Sequence, residues 1–123
     1  RIDCTGWLDK LRDLNIEIHA RSIFLQGLLL MKYDKLPKDY FRNHQDLIDW
    51  YEWQKNNSEA DPYETCLKYV LDNPKIDKVL VGVDNIFQMM QLVETVKSKN
   101  KFSFPRIRCK DEKLINPYFW NKL

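Results

Sequence analysis

The chain has 123 residues, of which 44% are hydrophobic and 31% are charged, and its net charge is +2. This length allows one domain of modest size, and so small a net charge argues against nucleic acid or an anionic membrane surface as a partner. No apolar run reaches the ~20 residues of a membrane helix, and the first residues lack the basic start and apolar stretch of a signal peptide.

The cysteines indicate a reducing compartment. Cys4, Cys66 and Cys109 are odd in number and far apart, and no C-x-x-C pair is present. This spacing predicts neither a disulfide framework nor a zinc site. We therefore expect reduced thiols, a cytoplasmic protein and no metal ligands.

The first elements are predicted to be a helix and a strand. Residues 5–14 have apolar side chains at helical spacing, and Thr5 is a suitable N-cap. Residues 16–20 alternate between apolar and polar side chains, as a half-buried strand does. This strand ends in a polar turn at Arg21 to Gly27, and an apolar stretch follows at residues 27–31.

The middle of the chain is predicted to be helical. A second helix opens at Asn43 or His44, although His44 has no evident partner there. Asp61, Pro62 and Glu64 form the clearest helix start in the chain, with Asp as N-cap, Pro at the first helical position and Glu at the third. This third helix stops at residues 72–74, where the sequence is Asp-Asn-Pro.

A second strand, a fourth helix and a tail complete the chain. Residues 76–81 are predicted to form the strand, and Asn85 caps the helix that follows. That helix is expected to bury Met89, Leu92, Val93 and Val96. From about residue 102 the chain forms a tail, expected to pack through Phe102, Phe104, Phe119 and Trp120. Residues 111–113 are interpreted as a solvated charge run.

The order of these elements predicts a single partial α/β domain over residues 1–123, with two strands and about four helices. Strands separated by helices favour parallel pairing. Because a two-stranded sheet is marginal by itself, the chain is either a piece of a larger barrel or sheet, or its strands pair with another copy.

Three segments resemble motifs of the aldo-keto reductase family, in the family's order. Residues 20–29 and 31–33 are similar to Ala-Tyr-Ser-Pro-Leu-Ala-x-Gly-Leu-Leu followed by Gly-Lys-Tyr. Residues 66–71 are similar to Ala-Leu-x-(Trp/Tyr)-Val-Leu, the core of a late helix. Residues 81–85 and Gln88 are similar to the last strand, Val-x-Gly-x-x-Asn, and the helix after it. Together they cover about residues 7–100 and resemble the C-terminal part of the family.

The resemblance implies a (β/α)8 TIM barrel that reduces carbonyls with NAD or NADP. A barrel of this kind takes roughly 250 residues, so this chain would supply its last two strands. The family's catalytic Asp, Tyr, Lys and His would lie in earlier strands, and no catalytic residue is assigned here. Residues 21–29 and 113–117 also resemble members linked to surface-polysaccharide biosynthesis.

The resemblance also implies where the cofactor is held. In such barrels a phosphate site forms after the seventh and eighth strands, at a helix N-terminus. The implied contacts on the pyrophosphate side are Arg21, Ser22, Phe24, Gln26 and Gly27. Those on the adenosine side are Gly82, Asp84, Asn85 and Gln88.

Some positions depart from the family pattern. Arg21 stands where an aromatic residue often stacks on nicotinamide, and neutral Gln88 stands where a basic residue often meets the 2′-phosphate of NADP. Together with the negative charge of Asp84, this favours NAD. Ser22 and Asn85 can also be read as turn and cap residues only. The alternative function is a non-catalytic interaction module that self-associates through exposed strands.

Overall fold

The computed structural model of this chain describes residues 5–99 and 103–122. Its elements are α1 Trp7–Asp13, β1 His19–Arg21, α2 Asp39–Asn43, α3 Gln45–Asn56, α4 Pro62–Leu71, β2 Lys78–Leu80, α5 Ile86–Lys97 and α6 Glu112–Ile115, with 3₁₀ helices at Leu28–Leu30, Tyr33–Lys35 and Pro117–Lys122. The predicted mixture of helices and strands is confirmed, and α2 and α6 are short additions to the predicted helices. Within these ranges no helix has the length and apolar character needed to span a membrane.

The two strands form a parallel sheet, as predicted. His19, Ala20 and Arg21 lie opposite Lys78, Val79 and Leu80 in turn. Because the pair is parallel, the loops that follow β1 and β2 leave the sheet at the same edge.

Both strands are shorter than the sequence predicts because a side chain occupies the start of the ladder. The Asp77 carboxylate accepts a hydrogen bond from the Ile18 N–H at 2.7 Å. The same carboxylate accepts from Arg12 Nη1, at 2.8 and 3.0 Å from its two oxygens. The Arg12 contact attaches α1 to the sheet. The Ile18 hydrogen bond, with the Arg12 guanidinium, holds the pKa of Asp77 below its usual value.

Two of the three predicted helix caps are confirmed. Asp61 Oδ1 accepts from the Glu64 N–H at 2.9 Å, with Pro62 at the start of α4. Asn85 Oδ1 accepts from the Gln88 N–H at 3.0 Å at the start of α5. The prediction for Thr5 is wrong, since Gly6 precedes α1 with φ 73°, a left-handed conformation that suits glycine.

The core includes residues from the tail. Its buried members are Leu28, Leu36, Phe41, Leu47 and Leu114. Trp120 packs edge-on against Phe41, with ring centroids 5.0 Å apart, and donates its indole N–H to the Leu114 carbonyl at 3.0 Å. Of the other aromatic residues predicted to pack, Phe104 meets Tyr69 and Phe119 meets Tyr118. Phe102 lies outside the described residues.

Of the four α5 side chains predicted to be buried, Leu92 is half-buried and the other three are exposed, so most of the predicted inward face is wrong. Met89, Val93 and Val96 are all exposed, whereas Thr95 is 1% exposed. α5 is also joined to α4 by the buried Lys68, whose ammonium group donates to the Ser98 carbonyl at the end of α5, where the helix dipole is negative. Helical periodicity identifies an apolar face, but the elements described here do not cover this one.

Candidate functional site

A cavity of about 220 Å³ lies where the carboxyl ends of β1 and β2 meet the loops that follow them. Its wall is formed by Ser22, Ile23, Phe24, Gln26, Gly27, Leu80, Val81 and Gly82. Five of the predicted cofactor contacts, drawn from both strand ends, therefore surround one space. Parallel pairing explains this, because it places both loops at one sheet edge.

The loop after β1 has an unusual backbone. Ser22, Leu25 and Gln26 have φ values of 58°, 49° and 55°, and Gly27 has φ 82°. Residues other than glycine rarely adopt this left-handed region, and each costs roughly 1–3 kcal/mol unless its surroundings hold it there. Such strain concentrates at ligand sites, and three of the four strained non-glycine residues in the described ranges lie in this loop.

The same loop contains backbone donors without acceptors. The Leu25 N–H donates to the Ser22 carbonyl at 3.0 Å, and the Leu28 N–H donates to the Leu25 carbonyl at 3.1 Å. In the part of the chain that the structure describes, the N–H groups of Phe24, Gln26 and Gly27 have no protein acceptor. Several N–H groups in a turn with left-handed residues make a concavity suited to an anion. The loop therefore has the donors that a phosphate group needs.

The start of α5 has its own hydrogen bonds. Gln88 Oε1 accepts from the Asp84 N–H at 2.7 Å, while Asn85 Oδ1 accepts from the Gln88 N–H. Asn85 therefore has the cap role that the sequence left open, and the Gln88 side chain accepts from the residue before the cap. Among the described residues, Asp84, Asn85, Gln88 and Arg21 are outside the wall of the cavity. The structure thus brings together five of the nine predicted contacts.

Phe24 and Gly82, both in the cavity wall, differ in their surroundings. The Phe24 ring stacks on Tyr63 of α4, with centroids 4.7 Å apart, so it anchors the loop. Burial, and then the charge of Asp61, raises the pKa of the Tyr63 hydroxyl. A Cβ atom built on Gly82 meets no atom within 4 Å, so space for a ligand lies beside that backbone.

The comparisons with known proteins agree with these motifs. A family model described as "Aldo/keto reductase family" matches residues 1–109. The chain belongs to the aldo/keto reductase family. The resemblance read from the sequence is therefore confirmed at the level of the family, whose members typically use NAD(P)H. The searches of curated proteins and of solved structures found no match.

This aldo/keto reductase chain has a second, larger cavity of about 560 Å³ that the sequence analysis missed. Its wall is mostly apolar and includes Leu25, Trp50, Cys66, Tyr69, Phe104 and Leu114. Polar residues also line it, among them Asp46, Thr65, Arg108 and Cys109. Burial raises the pKa of Cys66 to about 12, and burial with the neighbouring Asp46 carboxylate raises that of Cys109 to about 11.

Beside this cavity lies a polar cluster that we call the His44 cluster, formed by His44, Asp46 and Cys109. One potential ligand atom from each residue lies within 4.8 Å of the others. Asp111, expected to belong to a solvated charge run, instead lies against this cluster, with Oδ2 3.2 Å from His44 Nε2. The only sequence signal is the matched spacing His44-x-Asp46 and Cys109-x-Asp111, which does not show that His44 and Asp111, 67 positions apart, meet.

Proposed function

We propose that this chain forms the part of an NAD(P)-dependent aldo/keto reductase that holds the phosphate and adenosine end of the cofactor. The observation that carries the proposal is the cavity at the shared edge of β1 and β2, together with the N–H groups of Phe24, Gln26 and Gly27, which have no protein acceptor among the described residues. In parallel α/β proteins this edge is where ligands bind.

The residues present suit a pyrophosphate group. The N–H groups of the loop would donate to phosphate oxygens, and the Ser22 hydroxyl and Gln26 amide lie beside them on the cavity wall. Gly82 would allow the cofactor to approach the second strand, since its missing side chain leaves open space. About 220 Å³ suits a diphosphate group rather than a whole dinucleotide. The adenosine would extend toward the start of α5, where neutral Gln88 and acidic Asp84 favour NAD over NADP.

We further propose that β1 and β2 are the last two strands of a (β/α)8 barrel. Each strand has one neighbour in the described structure, whereas a strand of a closed barrel has two. Apolar side chains are also exposed beside the sheet and on α1, among them Trp7, Leu14 and Leu80. Preceding strands and helices of a barrel would cover such surfaces.

In this proposal the chain binds and orients, and the proton-donating tetrad belongs to the preceding strands. When bound, the nicotinamide group would supply or accept the hydride that interconverts a carbonyl and an alcohol. The strained loop would fix the position of the phosphates, and thereby the distance from the nicotinamide to the substrate. A cytoplasmic location and a role in polysaccharide biosynthesis remain predictions of the sequence.

Calorimetric titration of the chain with NADH and NADPH tests the proposal. We expect saturable binding that Gly82→Val weakens at least tenfold, because the new side chain fills open space in the cavity without meeting protein atoms. Ser22→Ala should also weaken binding, whereas Ser58→Ala, at an exposed residue outside the cavity wall, should not. Equal affinity of the parent chain and Gly82→Val, with both folded by circular dichroism, would contradict the proposal.

The exposed apolar side of α5 favours a second candidate, a module that self-associates. Ile86 is 65% exposed, Phe87 78% and Met90 53%. Exposed contiguous apolar surface marks interaction sites. Sedimentation equilibrium separates the two candidates: a monomer that binds cofactor supports the first, and a dimer that Phe87→Ser dissociates and that binds no cofactor supports the second.

A further inference from the structure

The His44 cluster lies where the starts of two helices meet. His44 immediately precedes α3, and Asp46 lies in its first turn. Cys109 lies in the extended segment before α6, and Asp111 is the N-cap of α6, with Oδ1 accepting from the Lys113 N–H at 2.8 Å. These side chains lie on short segments at the starts of α3 and α6.

Asp111 determines which nitrogen of His44 is available to bind a metal ion. Its Oδ2 accepts from the Tyr40 hydroxyl at 2.8 Å and lies 3.2 Å from His44 Nε2. A proton on Nε2 satisfies this contact, which leaves a lone pair on Nδ1. His44 Nδ1 is buried and has no hydrogen-bond partner among the described residues. A carboxylate that orients a histidine through its far nitrogen is a common arrangement around protein-bound metals.

Two further potential metal ligands lie near His44 Nδ1. Asp46 Oδ2 lies 3.7 Å from His44 Nδ1, which is too long for a hydrogen bond. This separation is slightly longer than the roughly 3.3–3.5 Å expected between a nitrogen and an oxygen ligand of one tetrahedral zinc ion, given bonds of about 2.0–2.2 Å, so a small rotation of the Asp46 side chain would complete the geometry. Cys109 completes the set, with the three ligand atoms within 4.8 Å of one another.

We propose that His44 Nδ1, Asp46 Oδ2 and Cys109 Sγ bind a zinc ion, with Asp111 as the positioning residue for His44. A neutral imidazole, a carboxylate and a thiolate balance the charge of a divalent ion, and nitrogen, oxygen and sulfur donors are those that zinc takes. Asp46 and Cys109 also line the 560 Å³ cavity, so the fourth position of the ion opens toward that space. The ion would join the start of α3 to the C-terminal segment.

Cobalt and zinc titrations of the full chain test the proposal. After treatment with a chelator and a reductant, one equivalent of Co²⁺ should produce a thiolate-to-cobalt charge-transfer band and the intense visible bands of four-coordination, and Zn²⁺ should abolish them. Cys109→Ser should lose the charge-transfer band, whereas Cys66→Ser should keep it. Asp46→Asn should weaken zinc binding at least tenfold, whereas Asp49→Asn, one turn along α3, should not.

The positioning role of Asp111 has its own measurement. Asp111→Asn keeps an oxygen that can cap α6 but removes the oxygen that faces Tyr40 and His44, so it should lower both the melting temperature in chelator and, by 10- to 100-fold, the zinc affinity. Tyr40→Phe removes the Tyr40 hydrogen bond alone, so it should lower the melting temperature but keep the zinc affinity. If the chain takes up no stoichiometric zinc, or if Cys109→Ser binds Co²⁺ with an unchanged spectrum, the proposal is wrong. His44 would then be a structural residue that lies between the Asp46 and Asp111 carboxylates.

Discussion

Leu114→Ala tests whether the C-terminal segment is part of the core. Leu114 is 2% exposed and packs with Leu28, Leu36, Phe41 and Leu47. Truncation of a buried leucine to alanine costs about 2–5 kcal/mol, and the cost rises with the size of the space that remains. Leu114 already borders the 560 Å³ cavity on one side, so it has fewer packed neighbours there, and we expect a cost near 2–3 kcal/mol.

Urea denaturation followed by circular dichroism and by tryptophan fluorescence measures this cost. A loss of about 2.8 kcal/mol multiplies the unfolding constant about 100-fold and lowers the melting temperature by about 10 °C for a chain of this length. The dependence of the unfolding free energy on urea should not change. Leu71→Ala is the matched control, because Leu71 is 39% exposed and should cost about 1 kcal/mol or less. A cost below about 1 kcal/mol for Leu114→Ala would show that the segment is not part of the core.

Three further predictions follow from single contacts. Asp61→Ala should lower the unfolding free energy by about 1 kcal/mol in thermal melts because it removes the cap of α4, whereas Asp61→Asn keeps a cap and should be near neutral. Equal melting temperatures for the two variants would contradict this. The pKa of Asp77 is lowered in the folded state, chiefly by the Ile18 N–H and then by Arg12. The ionised Asp77 therefore stabilises the fold above its usual pKa near 4, and this stabilisation is lost as the pH falls through the lower folded pKa. Asp77→Asn should therefore reduce the dependence of the unfolding free energy on pH in acid. An unchanged slope would show that Asp77 is not responsible for that dependence. Burial raises the pKa of Cys66 to about 12, so iodoacetamide at pH 8 should label this thiol only when the chain unfolds. Mass spectrometry measures the labelling, and rapid labelling of Cys66 in the folded chain would contradict the prediction.

The sequence predicts the features that local contacts determine. Asp61 and Asn85 cap helices because each carries an oxygen three residues before an N–H that needs an acceptor, a relation visible in the sequence itself. The resemblance to the family points to the loop after β1 and to Gly82, each of which follows a strand. Parallel pairing then brings them to one cavity.

The features that the sequence does not predict depend on distant residues. The strands are short because Asp77 takes the Ile18 N–H, a contact between residues 59 positions apart. Val93 and Val96 lie on a periodic apolar face, but periodicity does not tell whether another element covers it. The meeting of His44 with Cys109 depends likewise on how the C-terminal segment packs across α2 and α3.

Amide chemical shifts measured by NMR during titration with NADH, and separately with inorganic pyrophosphate, test the central claim most directly. If the loop after β1 binds the cofactor phosphates, both ligands should shift the amide resonances of Phe24, Gln26 and Gly27 saturably. NADH, but not pyrophosphate, should also shift the amide resonances at the start of α5. Neither ligand should shift the amide resonance of Ser58. Saturable binding that leaves the three loop amides unmoved, or no binding at millimolar NADH, would contradict the account.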